Sequence, residues 1–262
     1  MTSPVVLITG STKGIGLGLA RAFLRRDCRV VVNGRDPGGV ERAVTTLTAE
    51  APAERILGCS GDVSDPVQVQ ALWDAAVERF EQVDVWINNA ALGSVEQDFW
   101  LHEPGTIRAV TETNVLGTLY GARVAARGML AQGHGQIFNL EGWGSGNEMR
   151  RGSTLYGTSK ALVRYFTRSL GAELRSTPVR VGTINPGIVP TDLLALSVRP
   201  EKEASIKRFI NLFGDRVETI APALAERVLA NRRQNARITW LTPWRILARV
   251  LRAPFGGRRV IE

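Results

Sequence analysis

Val5-Val6-Leu7-Ile8-Thr9-Gly10-Ser11-Thr12-Lys13-Gly14-Ile15-Gly16 joins a short apolar run to a glycine-rich loop, and the helical pattern Leu17 to Arg26 follows at once. A strand, a glycine loop and a helix in that order form the local frame that holds a phosphate group. Gly10 permits the sharp turn, while Gly14 and Gly16 let backbone approach a pyrophosphate and let the helix pack against the sheet. The N-terminus of the helix then faces the anion. Taken alone, such a loop is also an ordinary tight turn; its place directly after the first strand favours the phosphate reading, with Gly10 to Gly16, including Ser11, Thr12, Lys13 and Ile15, as the cradle.

Outward from that loop, β-branched runs alternate with helical stretches. Val30 to Val32, Arg55 to Leu57, Val83 to Ile87, Gly135 to Phe138 and Val179 to Ile184 read as strands. Leu17 to Arg26, Val40 to Glu50, Pro66 to Phe80, Thr106 to Leu130 and Thr154 to Thr177 read as the crossover helices. The expected fold is α/β: a doubly wound parallel sheet with helices on both faces. After Thr191 the rhythm breaks into helical stretches near Glu201 to Phe213 and Val217 to Arg233, expected to cover the cleft, before a last strand at Arg237 to Leu241. One domain spans 1–241, with 191–235 as its covering segment and 242–262 as a basic tail. A chain of 262 residues is of the size for one such core.

Composition narrows the chemistry. Cys28 and Cys59 suggest neither a disulfide framework nor a metal cluster, and His102 and His134 stand in polar, Gly/Pro-containing surroundings, so no metal site is expected. The chain starts without a basic region leading into a signal-type apolar stretch, and no run approaches the length of a spanning helix. The expected compartment is the cytoplasm. Net charge is +8, with much of the excess among the arginines from Arg232 to Arg259. Nucleic-acid binding would rest on that charge alone and is not expected.

The second strand ends Val32-Asn33-Gly34-Arg35, without the acidic residue that bonds ribose hydroxyls in an NAD site. Arg35 offers a fork for a 2′-phosphate, with Lys13 as a second cation, and the reading is NADP(H); an ordinary solvated arginine at the start of a helix is the alternative. Asp62, in Gly61-Asp62-Val63, could accept from an adenine amino group or close an Asx turn. Val63 beside it is counted with the cofactor groove. Tyr156-Gly157-Thr158-Ser159-Lys160 puts a phenol and an ammonium on one helix face, where the cation can lower the phenol's pKa and make it a usable acid. The same spacing also occurs on plain solvated faces.

Together Thr9-Gly10-X3-Gly14-X-Gly16, Asn88-Asn89-Ala90-Ala91, Asn114, Tyr156-X3-Lys160 and Pro186-Gly187 resemble the classical short-chain dehydrogenase/reductase family over nearly the whole chain. The resemblance implies Tyr156 as acid/base, Lys160 as its pKa modulator and ribose ligand, and Asn114 as holder of a proton-relay water in a helix break. It also implies that Asn88 and Ala90 shape the cofactor groove and that Pro186, Gly187 and Thr191 line the nicotinamide. One departure stands out: the family's substrate-polarising serine falls at Gly142. Ser145 is the nearest substitute if its loop bends inward, and a plain loop serine otherwise.

Ile137 to Gly146, Leu155 to Phe166 and Trp240-Leu241-Thr242-Pro243 are similar to the chlorophyll(ide) b reductase branch, which uses NADPH to reduce a tetrapyrrole formyl group. That implies carbonyl reduction on a bulky hydrophobic substrate. A steroid-like or polyketide ketone or alcohol and a non-catalytic NADP-binding sensor are the alternatives. In Trp244 to Arg252, Trp244, Leu247, Ala248 and Leu251 share one helical face and Arg245, Arg249 and Arg252 another. Such a helix suits an anionic membrane surface, giving peripheral contact through 243–259, or docking on the protein's own body or a second subunit. The family implies a homodimer or homotetramer.

Overall fold

The computed structural model describes residues 3–146, 148–191, 203–252 and 259–261. Part of the expected covering segment, 192–202, lies outside them, as does Arg258 of the basic tail.

Seven strands form one parallel sheet: β1 (Val5–Ile8), β2 (Arg29–Gly34), β3 (Ile56–Ser60), β4 (Val85–Asn88), β5 (Gly135–Leu140), β6 (Val179–Asn185) and β7 (Ala236–Thr239), in the order β3-β2-β1-β4-β5-β6-β7. Every pairing is parallel, with Leu7 level with Val31 on one side and Trp86 on the other. The central strands β1 and β4 are buried at every position because both faces are covered, whereas the edge strands β3 and β7 carry exposed positions. Val6, Ile8, Val30 and Val32 face one core with Leu19, Phe23, Leu224 and Val228. Val5, Leu7 and Val31 face the other with Leu72, Phe80, Ala125 and Met129.

The helices are α1 (Gly14–Leu24), α2 (Pro37–Thr48), α3 (Pro66–Phe80), α4 (Pro104–Thr111), α5 (Gly117–Gln132), α6 (Thr154–Glu173), α7 (Glu203–Phe213), α8 (Val217–Ala230) and α9 (Pro243–Arg252). Asp36 and Asp65 cap α2 and α3, each accepting from backbone amides in the first turn, with proline at the next position. The single helix expected over Thr106 to Leu130 is two helices separated by a π-helical turn, Glu112–Leu116. An inserted residue of this kind is invisible to a 3.6-residue period and is frequent at functional sites.

The strand order reverses between β1 and β4, so the carboxyl ends of those two strands diverge into a crevice. In open parallel sheets that is where ligands bind.

Candidate active site

A cleft of about 690 Å³ opens over the carboxyl ends of the strands. Its floor is the loop between β1 and α1. Gly10 and Gly14 have φ of +60° and +57°, and a Cβ at Gly10 would stand 2.6 Å from the Ala90 Cα. Glycine is required there by both conformation and space. Gly10, Thr12, Lys13, Gly14, Ile15 and Gly16 all line the cleft, at the amino end of α1. Ser11 does not: it is fully buried, donating its hydroxyl hydrogen to the Ile8 carbonyl at 2.7 Å and accepting from the Asn33 amide at 3.0 Å. It shapes the loop from behind.

Asn33 explains the missing acid on β2. Its side chain is buried, accepts from the Gly10 amide at 3.2 Å and donates to the Gly61 carbonyl at 3.0 Å, tying the glycine loop to the end of β3. Arg35 follows on the cleft wall. The Asp62 carboxylate closes an Asx turn on Ser64, accepting from its amide at 2.9 Å and hydroxyl at 2.7 Å, and its second oxygen lies 3.8 Å from Arg35. It stands outside the cleft lining, whereas Val63 is part of it.

Two neighbouring asparagines after β4 have different tasks. Asn89 donates to the Thr9 and Gly10 carbonyls, both at 2.8 Å, and holds the glycine loop against β4. Asn88 is buried beneath the cleft in a network with Trp86, Asn139 and the Thr118 carbonyl. Ala90, Pro186, Gly187 and Thr191 also line the cleft, Thr191 beside Gly14.

Tyr156 and Lys160 project from the first turns of α6 into the same space, with the ammonium 5.8 Å from the centre of the phenol ring. Lys160 donates to the Leu140 carbonyl at 3.2 Å. Burial draws its pKa down to about 8, with the charge of Glu141 pulling the other way. Burial pushes the Tyr156 hydroxyl up to about 12. The spacing predicts a phenol lowered by its cation; burial instead moves it upward. Asn114 lies one layer behind, in the π-helical turn, accepting from the Leu92 amide at 2.7 Å and donating to the Leu92 carbonyl and Ser159 hydroxyl.

Ser145 does not enter the cleft. Its loop folds so that the hydroxyl meets the Gly142 carbonyl at 2.7 Å and the Glu141 carboxylate at 3.1 Å, and the side chain is buried away from Tyr156. The buried acceptor Glu141 draws it inward, which no local spacing announced. Glu141 was itself missed. Burial would raise its pKa, but hydrogen bonds from Arg237, Thr183 and Asn185 and the charge of Arg237 hold it below the usual carboxylate range. Arg237 reaches it from β7 with Nη2 at 2.7 Å.

Ser94, Glu96, Thr113, Trp143, Arg150, Phe209 and Ile210 also line the cleft, Trp143 and Phe209 being exposed. Glu96 is buried and pairs with Arg150 at 2.7 Å, while Arg150 lies over the Trp143 ring. An ion pair across 54 positions carries no signature in a single sequence. Among the described residues no cluster of histidine, cysteine and carboxylate side chains could hold a metal ion, and no helix is long and apolar enough to cross a membrane.

Comparison with known proteins places the site in a family. Residues 4–202 match the short chain dehydrogenase model. The chain is 35% identical to chlorophyll(ide) b reductase NOL of Oryza sativa over 97% of its own length and 76% of that protein. A probable chlorophyll(ide) b reductase of the same organism is 32% identical, the chain spanning about half (52%) of it. Among solved structures, levodione reductase superposes with a TM-score of 0.83 at 25% identity, over 91% of this chain and 96% of that one. A 3-ketoacyl-(acyl-carrier-protein) reductase from Brucella melitensis, complexed with NADH, gives 0.79 at 27% over 93% and 98%. The expectation of a cytoplasmic protein is corrected by these relatives, since the chlorophyll(ide) b reductases that the chain matches are chloroplastic. From the sheet, the glycine loop and the family match together, the chain belongs to the short chain dehydrogenases, oxidoreductases that act on carbonyl and alcohol groups.

Proposed function

We propose that this protein is an NADPH-dependent reductase of a carbonyl on a bulky hydrophobic substrate, with a tetrapyrrole formyl group as the first candidate. The observation that carries this reading is the convergence, in one cleft, of the glycine loop, Arg35 and the Tyr156/Lys160 pair. A dinucleotide fits the residues present. The loop offers backbone amides at the start of α1, whose first turn holds no acidic side chain, and Gly10 and Gly14 keep the surface bare where a pyrophosphate would approach.

When bound, the reduced nicotinamide supplies a hydride to the carbonyl carbon. Tyr156 donates its proton to the oxygen as the C=O electron pair collapses onto it, giving a hydroxymethyl group from an aldehyde. Lys160, mostly charged at neutral pH, stabilises the phenolate left behind, which regains a proton from solvent. Lys160 would also hold the cofactor ribose, and Arg35 with Lys13 would take the 2′-phosphate. Asn114 keeps the backbone around Leu92 and the hydroxyl of Ser159 in register with the tyrosine. Trp143, Phe209 and Ile210 give the cleft an apolar wall suited to a large ring system.

The test is cofactor oxidation, NADPH against matched NADH, with a panel of tetrapyrrole, steroidal and aromatic aldehydes and ketones, in wild type and Tyr156→Phe. NADPH oxidation with the tetrapyrrole aldehyde, reduced at least about a hundredfold in the variant, is the expected result. Undiminished turnover in Tyr156→Phe would overturn the assignment of the acid. Turnover confined to steroidal ketones would overturn the substrate, and cofactor binding without turnover on any panel member would point to a sensor.

A further inference from the structure

The last helix is docked the wrong way round for a soluble protein. In α9 Arg245 and Arg249 are turned toward the body. Arg249, only 12% exposed, pairs with the buried Asp215 and donates to the Phe213 carbonyl, and Arg245 lies over the Trp240 ring at 3.6 Å. Asp215 also accepts from the Trp240 indole at 2.6 Å, so one carboxylate fastens both the helix and the end of the sheet. The apolar face is left outward: Trp244 is 79% and Leu251 63% exposed, with Leu247 and Val250 exposed between them. Beside it, α7 presents exposed Lys207, Arg208 and Phe209. Phe209 also lines the cleft.

We infer that α9, with the adjoining face of α7, is a docking surface for an anionic lipid bilayer. Isolated exposed apolar side chains are ordinary, but a contiguous stripe held outward by buried arginines is a surface with a partner. Charge selects which partner. Besides the inward-turned Arg245 and Arg249, the chain from 242 to 261 carries Arg252, Arg258 and Arg259 and no carboxylate, and Lys207 and Arg208 are exposed on the neighbouring α7. A second copy of a chain with net charge +8 would bring the same positive groups face to face, whereas an anionic headgroup layer complements them while the stripe enters the acyl boundary. Trp244 near the start of the helix is the side chain suited to the headgroup level. The surface stands independently of the substrate proposed above; if that substrate is a membrane-soluble ring system, the cleft opens beside the layer that holds it.

The experiment is flotation of the full-length protein with phosphatidylcholine vesicles and with vesicles containing about one third phosphatidylglycerol, at low and high salt. Wild type is compared with Leu247→Glu/Leu251→Glu, and Trp244 depth is read from quenching by brominated lipid, with Trp244→Phe as control. The expected result is flotation with anionic vesicles, weakened by salt, at least about tenfold lower in the double variant, with lipid quenching that disappears in Trp244→Phe. Circular dichroism and cofactor binding of the double variant should match wild type, since Leu247 and Leu251 are exposed and belong to neither a core cluster nor the cleft lining. The proposal is overturned if no vesicle carries the protein. It is equally overturned if flotation is unchanged in the double variant, or if the stripe instead holds a dimer that the double variant splits, seen by sedimentation at several concentrations.

Discussion

A Cβ placed on Gly142 would stand 2.5 Å from the Tyr156 hydroxyl oxygen and 3.1 Å from the Lys160 Cγ. The end of β5 thus passes so close over α6 that the phenol occupies the room where a side chain at 142 would begin. Gly142→Ser is therefore expected to displace Tyr156 rather than supply a hydroxyl, lowering kcat about a hundredfold while the melting temperature stays within a few degrees. Steady-state kinetics with calorimetry checks it, and a serine variant as active as wild type would show that the ring yields.

Ser145→Ala gives the complementary result. The hydroxyl is spent on the Gly142 carbonyl and Glu141, so kcat/KM should stay within about threefold and stability should fall by about 1 kcal/mol, the usual worth of one buried hydrogen bond. A hundredfold loss of kcat/KM would return Ser145 to the substrate.

The pH profile follows from Lys160. With its pKa drawn to about 8, reduction should decline as pH rises through that value and the ammonium discharges. The stability effect has the opposite sense. Because the folded pKa lies below the ordinary 10.5, the folded state carries the cost of a buried charge in full below about pH 8, and sheds it as pH rises toward 10.5. Lys160→Met should consequently be inactive yet more stable than wild type at pH 7, with the difference shrinking by pH 10, as read from denaturation midpoints at the two pH values.

Glu141→Gln tests the pair that Glu141 makes with Arg237. Glu141 has no exposed side-chain surface while Arg237 keeps 39%, so losing the charge should cost about 2 kcal/mol, less than breaking a fully buried pair. Glu141 is also the charge that raises the Lys160 pKa. Its removal should move the alkaline decline of activity to lower pH, a change that simple loss of stability would not produce.

Arg35→Asp addresses cofactor choice. The guanidinium lies on the cleft wall just past β2, and replacing it with a carboxylate should lower the NADPH/NADH ratio of kcat/KM at least about tenfold. An unchanged ratio would make Arg35 a solvated side chain and its 3.8 Å approach to Asp62 the whole of its role.

Some of this was legible without coordinates. The β1 loop, the strand and helix alternation and the four-residue spacing of Tyr156 and Lys160 are local patterns, and local patterns survive folding. The helix boundaries were less so: the π-helical turn at Glu112–Leu116 divides a stretch that reads as one helix from Thr106 to Leu130. Asn33 was legible only as an absence of acid; its buried bonds to Gly10 and Gly61 depend on the ends of β1, β2 and β3 lying side by side.

The sequence by itself determined the doubly wound sheet, the loop at its switch point and the pair on α6, because strand and helix periods and turn residues act over a few positions. Only the tertiary structure decided that Ser145 turns from the cleft, that Glu141 meets Arg237 across 96 positions, and that α9 shows its apolar side outward. A helical period states which residues share a face. Which face turns inward depended on Asp215, a buried carboxylate 34 positions from Arg249 whose charge could not be left unpaired in the interior.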